Sequence, residues 1–372
     1  MEDASEKTDG LKQHTIPLWR RIVGVALISC LCFLALWDRY VAAGVMSALQ
    51  PYYSISNTMG GLMQTTYIAV FVANLLACGY LGDRFSRKRI IVANTTLAII
   101  FSAASCFVPA NMFWLFMTLR SLAAVGSSST FCLSAPIFSD YFDAHSRNYA
   151  IMAFFTALPV GASVGISVGT ALAETSFQWA LLISPILNVV AVILTALLLV
   201  EPVRGTMDDG QQVDAANQNV WEDVRHILST RTFVLITLGM VFVYFYVSAN
   251  AWWISSFVGD AMDVYGDTVG HGMDTATVMS IFSLFSVLAG ILGSATIIPF
   301  AERWRQGWGP LKGIQADRAP IFSAVLSVLI ATPIIFLYQY IVTTDILAGV
   351  AGNFINSIFV SALPSLSVGV CM

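Results

Sequence analysis

The chain has 372 residues, of which 57% are hydrophobic and only 11% charged, with a mean hydropathy of +0.76. That is too little charge for a soluble globular protein, and in so apolar a chain the net charge of −4 says little about partners. Runs near twenty apolar residues match a hydrocarbon core of about 30 Å at about 1.5 Å per helical residue, so the chain reads as an all-α, multi-pass membrane protein.

Ten spans are predicted in chain order, at roughly 22–49, 60–81, 89–108, 112–140, 148–172, 179–200, 232–258, 275–299, 319–340 and 345–370. With the N-terminus in the cytosol, all but two of the 18 basic residues fall on that face, in the tail and in alternate loops. The opposite loops hold no basic residue but do hold Glu174, Asp260, Asp263, Asp267 and Asp274, as the positive-inside rule requires. The polar start, Met-Glu-Asp-Ala, lacks the pattern of a removed signal peptide, and the first span is expected to act as its own anchor. The six cysteines lie in apolar stretches without metal-ligand spacing, and free, inert thiols are expected.

The two basic residues left over, Arg39 and Arg120, lie inside spans one and four, and span one also carries Asp38. Each costs a few kcal/mol at the bilayer centre unless it is paired or faces water. Counting from the outer span ends puts Asp38 roughly 18 Å and Arg120 roughly 12 Å deep, near the same level. Adjacent residues diverge by about 100° on a helix, so Asp38 is paired with Arg120 and Arg39 is left nearer the cavity. A static ion pair that only fixes helix packing is the other reading.

Between spans two and three, Gly79 to Arg89 reads Gly-Tyr-Leu-Gly-Asp-Arg-Phe-Ser-Arg-Lys-Arg, a charged hairpin that lipid cannot bury. Gly79 and Gly82 would let two helices approach closely, and Asp83 could cap the positive N-terminal end of a neighbouring helix. Arg84, Arg87 and Lys88 complete a cytosolic gate motif, the alternative being a generic positive-inside hairpin. Asn94-Thr95-Thr96 has the glycosylation pattern but lies in span three and is discounted. Span five carries Pro159, Gly161, Gly165 and Gly169, a four-residue glycine row that permits close helix packing. The longest polar interval, 201–231, separates six spans from four, and Trp221, Val224, Ile227 and Leu228 recur there at helical spacing. The expected organisation is a cytosolic tail 1–21, a six-helix bundle 22–200, a linker 201–231 with a short amphipathic helix, and a partial bundle 232–372 of four spans.

The 79–89 hairpin, at its place in the helix order, resembles the G-x-x-x-D-R-x-G-R-[RK] loop of the major facilitator superfamily, with Ser86 in place of the second of its two glycines. Further stretches resemble the spinster family within it. These are Asp38-Arg39-Tyr40 through Val45, Ser139-Asp140-Tyr141-Phe142 with Arg147, and Pro159-Val160-Gly161 with Gly165 and Gly169. Glu201-Pro202-Val203-Arg204-Gly205 and Trp221 to Arg225 follow the same pattern. Three positions depart from it: Ser127 and Asn353 stand where glutamate is usual, and Leu182 where arginine is common.

The resemblance implies two six-helix bundles that rock about a central site, of which this chain stops four spans into the second. It implies a secondary transporter of amphiphilic lipids, lysophospholipid or sphingosine-1-phosphate, coupled to protons, in the plasma or the lysosomal and late endosomal membrane. Asp38 would bind and release the proton, while Arg120 or Arg39 holds it or an anionic head group. Desolvation favours a protonated carboxyl and a nearby guanidinium favours the ionised one, so movement of the arginine would switch the site. A transport-inactive truncated form that binds a full-length homologue, and a transporter of a soluble organic anion, stay open. Nothing resembles a nucleotide loop, catalytic triad or metal cluster, and His14, His145, His226 and His271 are scattered. No enzyme activity, cofactor, metal or nucleic-acid partner is expected; the expected partners are lipid, protons and the bilayer.

Overall fold

The computed structural model describes residues 16–202, 225, 229–265, 271–305 and 319–361. Within these the backbone is helical, the arrangement by which a chain in lipid satisfies its own N–H and C=O groups. The first seven helices are α1 (Leu18–Gly44), α2 (Met46–Tyr53), α3 (Asn57–Arg84), α4 (Arg87–Ser105), α5 (Phe113–Leu122), α6 (Ala124–Tyr141) and α7 (Ala144–Leu198). They are followed by α8 (Arg231–Tyr265), α9 (Thr275–Arg305), α10 (Ala319–Val342) and α11 (Ile346–Ser361). Among the described residues, eight helical stretches are long and apolar enough to cross a membrane, against ten predicted spans: α4, at predicted span three, is not one of them, and α11, at predicted span ten, is shorter. The protein is an all-α membrane protein.

Four predicted spans are built differently from their sequence outline. Span one begins earlier, at Leu18 just after Pro17, and continues past a break at Val45 into α2. Span four is two helices, α5 and α6, that meet at Ala123. Spans five and six, numbered together as α7, are two helices that meet at a kink without an intervening loop, where Ser176 leaves helical geometry at φ −169° and ψ 96°. The predicted linker helix lies outside the described residues, Arg225 apart, as does the end of span ten beyond residue 361.

The chain divides into two compact units, one of residues 1–38, 50–161 and 181–212 and one of residues 39–49, 162–180 and 213–372. The first is centred on Ile28, Leu31 and Leu34 of α1, which pack with Ile91 of α4, Ile137, Phe138 and Tyr141 of α6, and Phe154 of α7. Large apolar side chains such as Leu76, Trp114, Ile193 and Leu197 stay exposed, as a lipid-facing surface requires. Close approach here depends on a missing side chain: a Cβ on Gly161 would collide with the carbonyl of Phe33.

In the second unit the end of α1 meets α7 through two glycines. A Cβ on Gly44 would lie 2.5 Å from Ile166 O, and one on Gly169 would lie 2.7 Å from Val41 O. Ser255 of α8 donates to Ala43 O at 2.7 Å. Glycines also seat α11 on α10, Gly352 facing Tyr338 and Gly349 facing Val342. A neutral chain of hydrogen bonds runs beside that contact: Asn356 Nδ2 to Tyr246 Oη at 3.0 Å, Tyr246 Oη to Tyr338 Oη at 3.2 Å, and Tyr338 Oη to Asn250 Oδ1 at 2.7 Å.

Candidate functional site

Asp38 sits on α1 one helical turn beyond Leu34 and two beyond Leu31, on the buried stripe of that helix. An apolar residue is what the position calls for, and the carboxylate is instead surrounded by donors. Ser102 of α4 donates to Asp38 Oδ1 at 2.6 Å, Arg120 Nη1 of α5 donates at 3.2 Å, and Ser184 of α7 donates at 3.2 Å. Arg120 Nη2 also donates to the backbone carbonyl of Asp38, and Nη1 to Ser102 Oγ at 3.0 Å. Asp38 is 8% exposed, Arg120 5%, Ser102 2% and Ser184 0%. The guanidinium thus holds one residue through both its carboxylate and its main chain, which fixes α5 against α1. All three donors converge on Oδ1, and among the described residues none reaches Oδ2.

Arg39, the next residue, is half-buried with its guanidinium over the ring of Tyr40 at 5.1 Å from the centroid. Asp38 and Arg120 are brought together, and Arg39 is turned to a different neighbour. Ser127 is buried and shares a 2.8 Å hydrogen bond with Tyr67. Asn353, the other departure from a glutamate, donates to Ser286 Oγ at 3.0 Å. A small cavity opens beside Asp38, with Tyr67, Thr95, Ser102, Ser127 and Asn188 in its wall.

The 79–89 motif lies at the far end of the same unit. Arg87 pairs with Asp140 at 2.5 Å, both largely buried. Ser86 caps α4, accepting from Arg89 N at 3.3 Å. Glu201, just past the end of α7, accepts from Ser86 Oγ and from Arg87 N at 2.6 Å, placing a negative charge at the positive start of α4. Glu201 is thus a capping carboxylate at this loop, and Asp83, the motif's acid, is exposed at the end of α3. The signal for Glu201 was an acid closing a long apolar run, directly before Pro202. Arg84 lies over the ring of Tyr80 at 4.3 Å, and Lys88 is half-buried. Arg21 donates to Tyr141 O at 2.9 Å, and Gly24 leaves room for the Tyr141 ring.

The two motif glycines differ. A Cβ on Gly79 would meet only Cys132 Sγ, at 3.9 Å, whereas one on Gly82 would run into Leu133 Cδ2. Close approach therefore belongs to Gly82 alone. Gly79→Ala is expected to be neutral or stabilising by about 0.5–1 kcal/mol through helix propensity. Gly82→Val is expected to destabilise by about 1–3 kcal/mol through overpacking. Thermal unfolding of the two variants compares them; equal loss in both would show that helix contact is not what separates them.

In span five, Gly161 and Gly169 are the contact glycines already described, Gly165 is buried, and Pro159 is exposed within α7. The described cysteines are free.

The Major Facilitator Superfamily profile matches residues 28–371. The chain belongs to this superfamily. Among curated relatives it is 30% identical over 302 residues to protein spinster homolog 1 of Homo sapiens, an alignment that covers 77% of this chain and 57% of that protein. It is 29% identical over 367 residues to protein spinster homolog 1 of Xenopus tropicalis, covering 97% of this chain and 68% of that one. The chain therefore spans little more than half the length of the human relative. A solved structure of a bacterial homologue of the human lysosomal transporter spinster, inward-facing and unoccupied, superposes with a TM-score of 0.68 at 17% identity. That match covers 94% of this chain and 76% of the other, and it concerns the fold. Within the superfamily, the chain is similar to the spinster proteins.

Proposed function

We propose that the chain is a proton-coupled secondary transporter of amphiphilic lipids of the lysophospholipid or sphingosine-1-phosphate class, working by alternating access. The observation that carries the coupling is the buried Asp38–Arg120 pair. Ionisable groups inside a membrane are costly and mark ion pathways, and this pair has a proton-binding member and a member that stays charged. When Arg120 withdraws, Asp38 stands in a low-dielectric site that favours its neutral form; when Arg120 returns, the proton is released. A guanidinium also presents a flat, bidentate fork suited to a phosphate head group, which gives Arg120 and Arg39 a second role. The lipid class is inferred from the spinster resemblance. The face carrying Arg21, Arg84 and Arg87 is assigned to the cytosol by the positive-inside rule, and the membrane to the lysosome or the cell surface.

The test is proton-gradient-driven flux of labelled lysophosphatidylcholine into proteoliposomes. Native flux should follow the gradient and fall by about tenfold or more in Asp38→Asn. Undiminished gradient-driven flux in that variant would remove Asp38 from coupling, and flux of a soluble organic anion in place of the lipid would overturn the substrate class.

A further inference from the structure

The cavity beside Asp38 offers about 20 Å3 to the centre of a water molecule, and about 10–15 Å3 is enough to hold one. Its wall is mixed, with Leu31, Ala35 and Ile99 on it, but Asp38, Tyr67, Thr95, Ser102, Ser127 and Asn188 give it the polar groups that a dry, purely apolar void lacks. Two of these carry unused hydrogen-bonding capacity. Thr95 is 5% exposed, and its Oγ1 has no partner among the described residues. The Asp38 carboxylate accepts its three bonds from the described residues on Oδ1, so Oδ2 is the oxygen left to meet a ligand. Buried hydroxyls are rarely left unpaired without a water, because the lost bond is not offset by anything else.

We infer that this cavity is a water site, bonded by Thr95 Oγ1 and Asp38 Oδ2, through which the carboxylate exchanges its proton. The inference rests on the coupling role proposed above for Asp38. In the protonating step the water gives one of its protons to Oδ2, an O–H bond breaking on the water as one forms on the carboxyl. The water's oxygen takes a replacement proton from hydroxonium on the aqueous side, so the water itself is unchanged. When Arg120 is in place it bonds Oδ1, so it does not occupy the Oδ2 side through which the proton passes once it has withdrawn. The ionisable groups around Asp38 are Arg120, the Cys106 thiol that follows α4, and Tyr67 across the cavity. This reading also gives Thr95 a purpose that its sequence context, a glycosylation pattern inside a span, does not.

The experiment follows the infrared band of the protonated Asp38 carboxyl in the reconstituted full chain, identified by its loss in Asp38→Asn, and times its hydrogen–deuterium exchange. Thr95→Val removes the hydroxyl at constant shape, and Thr95→Ser keeps it. Exchange should slow about tenfold in Thr95→Val and stay near native in Thr95→Ser. Ala35→Val, which narrows the cavity from α1 and leaves Thr95 in place, should slow it likewise and serves if Thr95→Val does not fold. Native exchange in Thr95→Val, or in Ala35→Val where that variant stands in, would overturn the water site. Loss of coupled flux in Asp38→Asn together with unchanged exchange in Thr95→Val would sink the water site alone. Retained coupling in Asp38→Asn would sink the role of Asp38 itself.

Discussion

Arg120→Ala should destabilise the chain by about 3–4 kcal/mol at neutral pH, Asp38→Ala by more, and the double variant by less than either. The order follows from what each survivor can do. An Asp38 left alone keeps the hydroxyls of Ser102 and Ser184 on its carboxylate. An Arg120 left alone keeps only the Asp38-position carbonyl and the Ser102 hydroxyl, and remains a buried cation without a counter-charge. With both charges removed, only cavity and packing terms remain. Unfolding of the four chains at neutral pH is the check, and strict additivity of the two single losses would mean that the 3.2 Å contact carries no coupling energy.

The second large effect is expected at the helix crossings. Gly161→Ala and Gly169→Ala should each cost about 2–3 kcal/mol, at the upper end for overpacking. In both, the added methyl meets main chain: the carbonyl of Phe33 in one, and Val41 O at 2.7 Å with Gly44 Cα at 2.9 Å in the other. A side chain can rotate away, as Leu133 can from Gly82, but backbone yields only if a whole helix moves. Gly44→Ala should lose a similar amount, and the Gly44→Ala, Gly169→Ala pair less than the sum, because once the helices have separated the second methyl finds room. Unchanged stability in Gly161→Ala would show that α1 and α7 slide apart freely.

The membrane character and the positions of the spans were legible because a hydrocarbon core demands length and apolarity, and both are plain in the chain. Breaks within spans were not, since a helix interrupted at Val45 or Ala123 keeps the composition of an unbroken one. The missing loop at Ser176 escaped for the opposite reason: Glu174, Thr175 and Ser176 read as a polar connection, yet the backbone needed only one residue out of helical geometry to turn. Asp38 with Arg120 was legible because a lone charge in lipid needs a partner and the two lay at similar depth. Ser102 and Ser184 were not, as serines are common in membrane helices and most simply bond their own backbone, as Ser127 to Thr130 do. Gly79 was over-read: a glycine beside Gly82 in a motif looks like a packing residue, and only the geometry separates the two.

The convergence on one carboxylate oxygen also constrains how the protein is made. Relative to Asp38, Ser102 lies 64 residues downstream, Arg120 lies 82 and Ser184 lies 146. At roughly 5–20 residues per second, the ribosome needs about 4–16 s after Asp38 is added before the arginine exists at all. Throughout that interval the first helix holds an acid in its apolar length with no cation to pair it. It must then wait protonated, or at the edge of the bilayer, or in the insertion machinery. Commitment of α1 to its final depth is therefore a late event, tied to the arrival of α5 and completed by the second half of α7.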